Sequence, residues 1–276
     1  KPIRLHDGTL LATGYVFERP DDITPIVDEA TFKVLPLKNM CSRSYDDGIT
    51  WDTPYRIDIN GEPLELSGPC VQLETGRIVG AAAPFHLGPD GHSGWLIYSD
   101  DGGINWGKLS EFFKSPNGEI APWECRIQQT RPGELAVLFW AYDTKKSLNL
   151  NNHIVFSQNN GGHFSPAIDT GVTAQASGLM HLEDNKILTI HAHRDHDAGL
   201  CVRKVDTRGD KFHVKSELDL FADPTIGSDL TDIRKQFGSL SFGQPGLLKL
   251  ASGEVLAYCW KVEDGQHVIK GYFLNI

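Results

Sequence analysis

Three octets of nearly the same composition recur along the chain: SYDDGITW at Ser44–Trp51, SDDGGINW at Ser99–Trp106 and SQNNGGHF at Ser157–Phe164. Their first serines stand 55 and 58 residues apart. Self-similarity at such a period marks an architecture in which one supersecondary unit is copied. The letters are those of a tight turn. Asp46, Asp101 and Asn159 hold the third position, where a side-chain oxygen can accept backbone N–H groups two or three residues on. Gly48, Gly103 and Gly161 hold the fifth, where the backbone needs a conformation that a Cβ opposes. Trp51, Trp106 and Phe164 end the turn with an apolar plate able to wedge between neighbouring units.

A second repeated phrase precedes each octet: an apolar strand, a turn carrying Gly or Asn, and another apolar strand. Its copies lie at residues 2–15, 69–83, 124–140, 177–193 and 245–260. They read as β-hairpins, strands A and B of a unit. A strand C precedes each octet (LPLKNMCSRS, GWLIYS, NHIVFS), and a strand D is expected after it. The spacing therefore predicts an all-β chain of four-stranded antiparallel blades, a β-propeller with five blades visible. No linker rich in Pro, Gly or Ser divides the chain, so 1–276 reads as one domain. The chain starts inside a strand A and ends at HVIKGYFLNI, a strand C without its D, so a sixth blade or a closing strand is possible in a longer chain. One helical turn is expected at Asp229–Lys235.

Bulk properties narrow the function. A formal charge of −10 disfavours nucleic acid, because phosphate binding needs a basic surface. No apolar run reaches the length of a membrane span. KPIRLHDGTLLATGY at the start reads as strand rather than as a signal peptide. Five cysteines without a CxxC pair argue for small buried side chains and against a zinc site, and no cofactor is expected.

The octets are C–D turns and share one face of the propeller. Strand A starts and B–C loops should then converge on the other, forming a rim. The B–C loops carry Arg19, Asp22, His86, Tyr142, His193, Arg194 and His196. The A-strand starts add Trp123, Glu124, Arg126, Gln175 and Gln244. The run HAHRDHD at 191–197 is the densest patch, and His, Arg and carboxylate at alternating positions are costly to bury without a task. His191 and His193 share a strand face, which leaves a metal site as a lesser reading, although no carboxylate or cysteine partner is set by spacing.

The octet resembles the Asp-box, or BNR repeat, and nearly the whole chain resembles the sialidase superfamily. That resemblance implies a six-bladed propeller, an arginine triad for the substrate carboxylate, a Tyr–Glu nucleophile pair and an Asp acid/base. Glu124, in ECRIQQ, matches the glutamate that partners the tyrosine. Glu18-Arg19 followed by Asp21 and Asp22 is similar to a Glu-x-Arg…Asp stretch of the family. Other positions depart from the pattern. The first arginine's motif is absent from Lys1 onward, and Trp140–Asp143 occupy the place of the second. Arg194 lies two residues from the place of the third, near His196. Gln244, in SFGQPG, stands where the nucleophilic tyrosine is expected.

The expectation is a carbohydrate-active protein, an exo-α-sialidase-like glycoside hydrolase on sialic acid or another acidic sugar. Glu124, Tyr142, His193, His196 and Asp22 are its candidates for chemistry. Arg19, Arg126, Arg194, His86, Trp123, Gln175 and Gln244 are its candidates for substrate binding. Two alternatives stand beside it: a polysaccharide lyase on a uronate linkage, and a non-catalytic glycan- or protein-binding propeller. The compartment stays open.

Overall fold

The computed structural model describes residues 1–28, 30–31, 33–88, 91–194, 198–222 and 240–276. Among them the regular structure is all β, in five antiparallel sheets. The first holds β1 (Pro2–Arg4), β2 (Leu10–Phe17), β3 (Leu37–Ser44) and β4 (Tyr55–Arg56). The second holds β5 (Val71–Gln72), β6 (Ile78–Ala82), β7 (Ser93–Ser99) and β8 (Gly107–Lys114). The third is built from β9 (Ile120–Arg131), β10 (Glu134–Asp143), β12 (Asn151–Ser157) and β13 (Ile168–Thr173), with a short β11 (Leu148–Asn149) on β10. The fourth holds β14 (Ser177–Glu183), β15 (Lys186–His193), β16 (Gly199–Asp206) and β17 (His213–Ala222). The fifth holds β18 (Phe242–Lys249), β19 (Val255–Glu263) and β20 (Gln266–Leu274), three strands among the described residues. Apart from the short β11, the strands of each sheet follow in chain order, which is the β-propeller class of fold. The helical turn expected at Asp229–Lys235 lies outside the described residues.

Burial follows strand position. Two of the second strands, Ile78–Ala82 and most of Glu134–Asp143, read as unbroken apolar runs and are covered on both faces. The last strand of the fourth sheet, HVKSELDLFA, alternates charge and apolar residues and is largely exposed, as an edge tolerates. Contacts group the residues into two compact units, Lys1–Val137 with Val155–Pro166, and Leu138–Ile154 with Ala167–Ile276. In the first, Leu5, Leu11, Ile57, Leu64, Leu66, Ile78 and Ile97 form a core between the first two sheets. In the second, Leu188, Ile190, Leu200, Val202, Phe242 and Leu274 do so between the fourth and fifth. All five cysteines are buried and free.

The three octets fold into the same turn. Ser44 Oγ donates to Asp46 Oδ1 (2.8 Å) and accepts the N–H of Gly48 (2.8 Å). Asp46 in turn accepts the Thr50 N–H (2.9 Å), and Trp51 Nε1 donates to the Gly48 carbonyl (3.1 Å). The second octet repeats these contacts through Ser99, Asp101, Gly103, Asn105 and Trp106. The third keeps the serine, the Gly161 N–H and the Asn159 contacts. Side-chain oxygens thereby satisfy backbone donors that leave the sheet. The aromatic plates differ. Trp106 is 8% exposed and joins the core, and a Cβ on Gly103 would meet Leu11 of the first sheet at 3.0 Å. Trp51, with no preceding sheet among the described residues, is 40% exposed and is no wedge.

Gly161 has φ +84°, and a methyl there would collide with Leu96 Cδ2 of the preceding sheet. Gly209 has φ +68° with open space around it. Gly161→Ala should cost about 2–4 kcal/mol, the left-handed strain plus overpacking, and Gly209→Ala only about 1–2 kcal/mol from strain. Chemical denaturation of both variants checks this; equal losses would mean that the turn does not lean on Leu96.

Candidate functional site

In the first unit, strand ends from three sheets bring two carboxyl groups together. Glu65 sits in PLELSGPC, the approach to β5, and its backbone bridges Ala83 in both directions (2.7 and 3.4 Å). Buried Asn39 on β3 clamps the preceding residue: its Nδ2 donates to the Leu64 carbonyl (2.7 Å) and its Oδ1 accepts the Leu64 N–H (2.9 Å). The Glu65 side chain is thereby carried into the interior. Tyr15 Oη of β2 donates to its Oε1 (3.4 Å), and the backbone N–H of Glu124 donates to its Oε2 (3.2 Å).

Glu124 lies inside β9 yet has φ +50°. Left-handed backbone costs a glutamate about 1–2 kcal/mol, so its neighbours must hold it there. The turn aims its N–H at Glu65 and its carboxylate at Arg126. Arg126 Nη2 donates to Glu124 Oε2 (2.5 Å), and Nη1 donates to Ser67 Oγ (3.0 Å) and the Cys125 carbonyl (2.9 Å). The Arg126 side chain is 3% exposed and that of Glu124 14%, so Glu124 is the member of the ion pair that reaches solvent. Among the described residues the other non-glycine left-handed residue inside a strand is Gln244 of β18, at φ +48°.

The two carboxyls cannot both ionise cheaply. Burial, and then the charge of Glu124, push Glu65 up to about 8, against the weaker pull of the Glu124 N–H and Arg126. Burial and the neighbouring carboxylates raise Tyr15 above its ordinary range, so its phenol stays neutral. The Lys1 side chain is lowered to about 7 by burial and then by Arg126, with Glu124 pulling the other way. A row of rings flanks the group. Tyr15 meets Phe17 at 5.5 Å between centroids, Phe17 meets Phe85 at 5.8 Å, and Phe85 meets buried Trp123 at 5.4 Å. His86 stacks on His92 at 4.1 Å.

In the second unit, one face of the fourth sheet is polar and buried. His191 Nδ1 donates to Asn152 Oδ1 (3.2 Å), while its Nε2 is buried without a partner. Burial first, then Arg203 and His193, hold His191 well below the usual imidazole range. His193 is lowered by burial and then Arg203, and its Nε2 accepts from Arg203 Nη1 (3.2 Å). Arg203 Nε donates to Glu217 Oε1 (2.9 Å). Next to this face, Arg194 gives Nε and Nη2 to the Phe242 carbonyl (3.2 and 2.9 Å) and Nη1 to Gln175 Oε1 (3.1 Å).

The residues expected from the sequence therefore fall into groups. Trp123, Glu124 and Arg126 come together in the first unit, with the half-buried His86 in the same ring system. Gln175 and Arg194 meet in the second unit. Gln244 lies two residues beyond Phe242. His193 stands against Arg203, an arginine that the sequence reading passed over. Tyr142 is buried at the end of β10, with its ring 5.8 Å from Trp140. Arg19 and Asp22 are exposed in the connection between β2 and β3. His196 lies outside the described residues. Glu65 and Tyr15 were missed, although a carboxylate between two leucines is a readable sign of a buried acid. Among the described residues no three His, Cys, Asp or Glu side chains gather as a metal site would require, and no helix is long and apolar enough to cross a membrane.

Neither a family model nor a curated protein sequence matches the chain. Solved structures do. A protein of unknown function from Dyadobacter fermentans superposes with a TM-score of 0.75 at 22% identity, over 99% of this chain and 74% of that one. A Hadza microbial sialidase gives 0.63 at 14% identity, over 97% and 50%. An α-L-arabinanase of Penicillium chrysogenum, complexed with arabinobiose, gives 0.61 at 15% identity, over 94% and 75%. The fold is that of the sialidase-like β-propellers. Against that sialidase the chain spans half the length. At these identities the likeness is one of fold and carries no residue roles.

Glu65 has a testable signature in stability. Its folded pKa of about 8 lies above the 4.5 of an unfolded glutamate. The folded state keeps a proton that the unfolded state has lost between those values, so stability falls as pH rises through the window. Lys1, lowered to about 7 from 10.5, acts in the opposite sense above pH 7. Subtracting the profile of Glu65→Gln from that of the wild type isolates the first effect. The expected difference is a decline of up to about 1.4 kcal/mol per pH unit between roughly pH 4.5 and 8. Parallel urea-denaturation profiles would mean that Glu65 is ionised in the fold.

Proposed function

We propose that this chain is a glycoside hydrolase of the sialidase-like propeller type, that Glu124 is its acid–base residue and that Glu65 behind it is the carboxyl that positions and tunes it. The single observation that carries the reading is the pair itself: two carboxyls joined through the Glu124 N–H, one ion-paired with Arg126, the other pushed up by burial to about 8. Environments that drive two like groups apart are the mark of an acid and a base at work. Glycoside hydrolysis needs a carboxyl that can give a proton to the leaving oxygen and take one back from water. Sialidase and arabinanase neighbours of the same fold add to the reading.

Glu124 is the catalytic residue, because it is the member open to a sugar. Glu65, sealed behind it, is a positioning residue that keeps one proton on the pair. The pair gives that proton to the leaving sugar oxygen as the glycosidic bond breaks. Water then adds to the anomeric carbon and returns a proton to the pair. Tyr15 is held neutral and donates to Glu65, a bond that favours the carboxylate and is outweighed by burial, and it is no nucleophile at rest. His193 has its Nε2 occupied by Arg203, which leaves proton transfer to the carboxyls.

Glu124→Gln should lower kcat/KM on the best p-nitrophenyl glycoside by about 10²–10⁴-fold, the usual worth of acid–base catalysis. The wild-type rate should fall as pH rises through about 8, where Glu65 gives up its proton, and Glu65→Gln should flatten that limb. Steady-state kinetics across pH 5–9 check both, on the order of the range where such groups titrate. A fully active Glu124→Gln variant, or a wild-type chain inert on every glycoside, would refute the reading.

A further inference from the structure

Recognition of an acidic sugar asks for a guanidinium whose fork is open, since two parallel N–H groups match the two oxygens of a carboxylate. Among the described residues the buried arginines turn their forks inward. Arg126 spends both terminal nitrogens on Glu124, Ser67 and the Cys125 carbonyl, with its side chain 3% exposed. Arg194 spends all three on the Phe242 carbonyl and Gln175. Arg203 gives Nε to Glu217 and Nη1 to His193. For a ligand carboxylate to take Arg126, it would have to displace Glu124 and leave that charge buried and unpaired, which is costly.

The charge inventory beside Arg126 points the same way. Arg126 and Glu124 cancel. A ligand carboxylate would approach a site whose arginine charge is already met and whose other carboxyl, Glu65, is held protonated by burial. The Lys1 ammonium is a point charge without a fork. What the first unit does offer a ligand is apolar ring surface. Tyr15, Phe17 and Phe85 are half-buried in a continuous row, with centroids 5.5 and 5.8 Å apart, and Tyr15 touches Glu65. Such rings accept the C–H face of a sugar while polar groups at one end orient it.

We infer, on the reading of this site as a glycoside hydrolase, that its sugar is uncharged: a neutral glycosyl unit lying on the Tyr15–Phe17–Phe85 rings, with no carboxylate to recognise.

The test uses the full chain with two panels of p-nitrophenyl glycosides, one of neutral pyranosides and furanosides and one of sialosides and uronosides. Calorimetric titration with matching neutral and acidic oligosaccharides runs beside it. The expected result is a neutral glycoside whose kcat/KM exceeds that of every acidic one by at least about 100-fold. Phe85→Ala should weaken binding of that neutral sugar by about tenfold, the worth of one ring contact. Preferred turnover or binding of an acidic sugar overturns the inference while the hydrolase reading stands. Binding of neutral oligosaccharides with no release of nitrophenol supports the inference and sinks the hydrolase reading. No binding and no turnover with either panel overturns both, and undiminished affinity in Phe85→Ala counts against the ring platform.

Discussion

A buried serine hydroxyl holds each of three turns shut, and the repeat depends on it. Ser44, Ser99 and Ser157 each accept a glycine N–H and donate to the Asp or Asn two residues on. A strand leaving a sheet carries backbone donors that must find acceptors away from water. The serine and the carboxylate supply them within eight residues, so strand C can end and the chain can reverse without borrowing partners from elsewhere. Once the turn is closed, its glycine can lie against the preceding sheet, Gly103 on Leu11 and Gly161 on Leu96. Local satisfaction of hydrogen bonds thus becomes a contact between neighbouring sheets.

The candidate site answers a different problem, the burial of charge. Two carboxyls, a guanidinium and an ammonium in the first unit would be expensive in a dry interior if all four were ionised and unpaired. Arg126 and Glu124 settle one pair by a short charge-assisted bond, and Glu65 escapes by keeping its proton. The left-handed backbone at Glu124 makes both possible, because it sends the N–H and the side chain of one residue to two different partners. Strain of this kind survives only where several contacts oppose its relief. The second unit solves a similar problem with neutral groups: buried imidazoles of lowered pKa beside Arg203, whose charge is met by Glu217.

Legibility in the sequence followed the range of the interactions. The octets and hairpins were readable because Ser, Asp, Gly and the aromatic plate act within a few residues. Glu124, Arg126, Gln175 and Arg194 were flagged as polar residues at strand ends, and the structure gives each a partner. The pairing itself was not readable. Glu65 stands 59 residues from Glu124, and Tyr15 stands 50 residues from Glu65. Arg203 was not singled out, because its partners Glu217 and His193 come from the strands on either side of its own. The resemblance to sialidases pointed to arginines as carboxylate ligands, but residue type says nothing of whether a fork is already filled.

By itself the sequence determined the unit and its repetition: short strands, a turn with its own hydrogen-bond partners, and the order in which the sheets follow. Those choices rest on backbone geometry and on neighbours a few residues apart, which composition and spacing report directly. Only the tertiary structure decided which carboxyl is ionised, which arginine is spoken for and which aromatic residue reaches solvent. Each of those depends on burial and on a partner brought in from a distant strand, and electrostatic energies in a protein interior change with a few ångströms of separation.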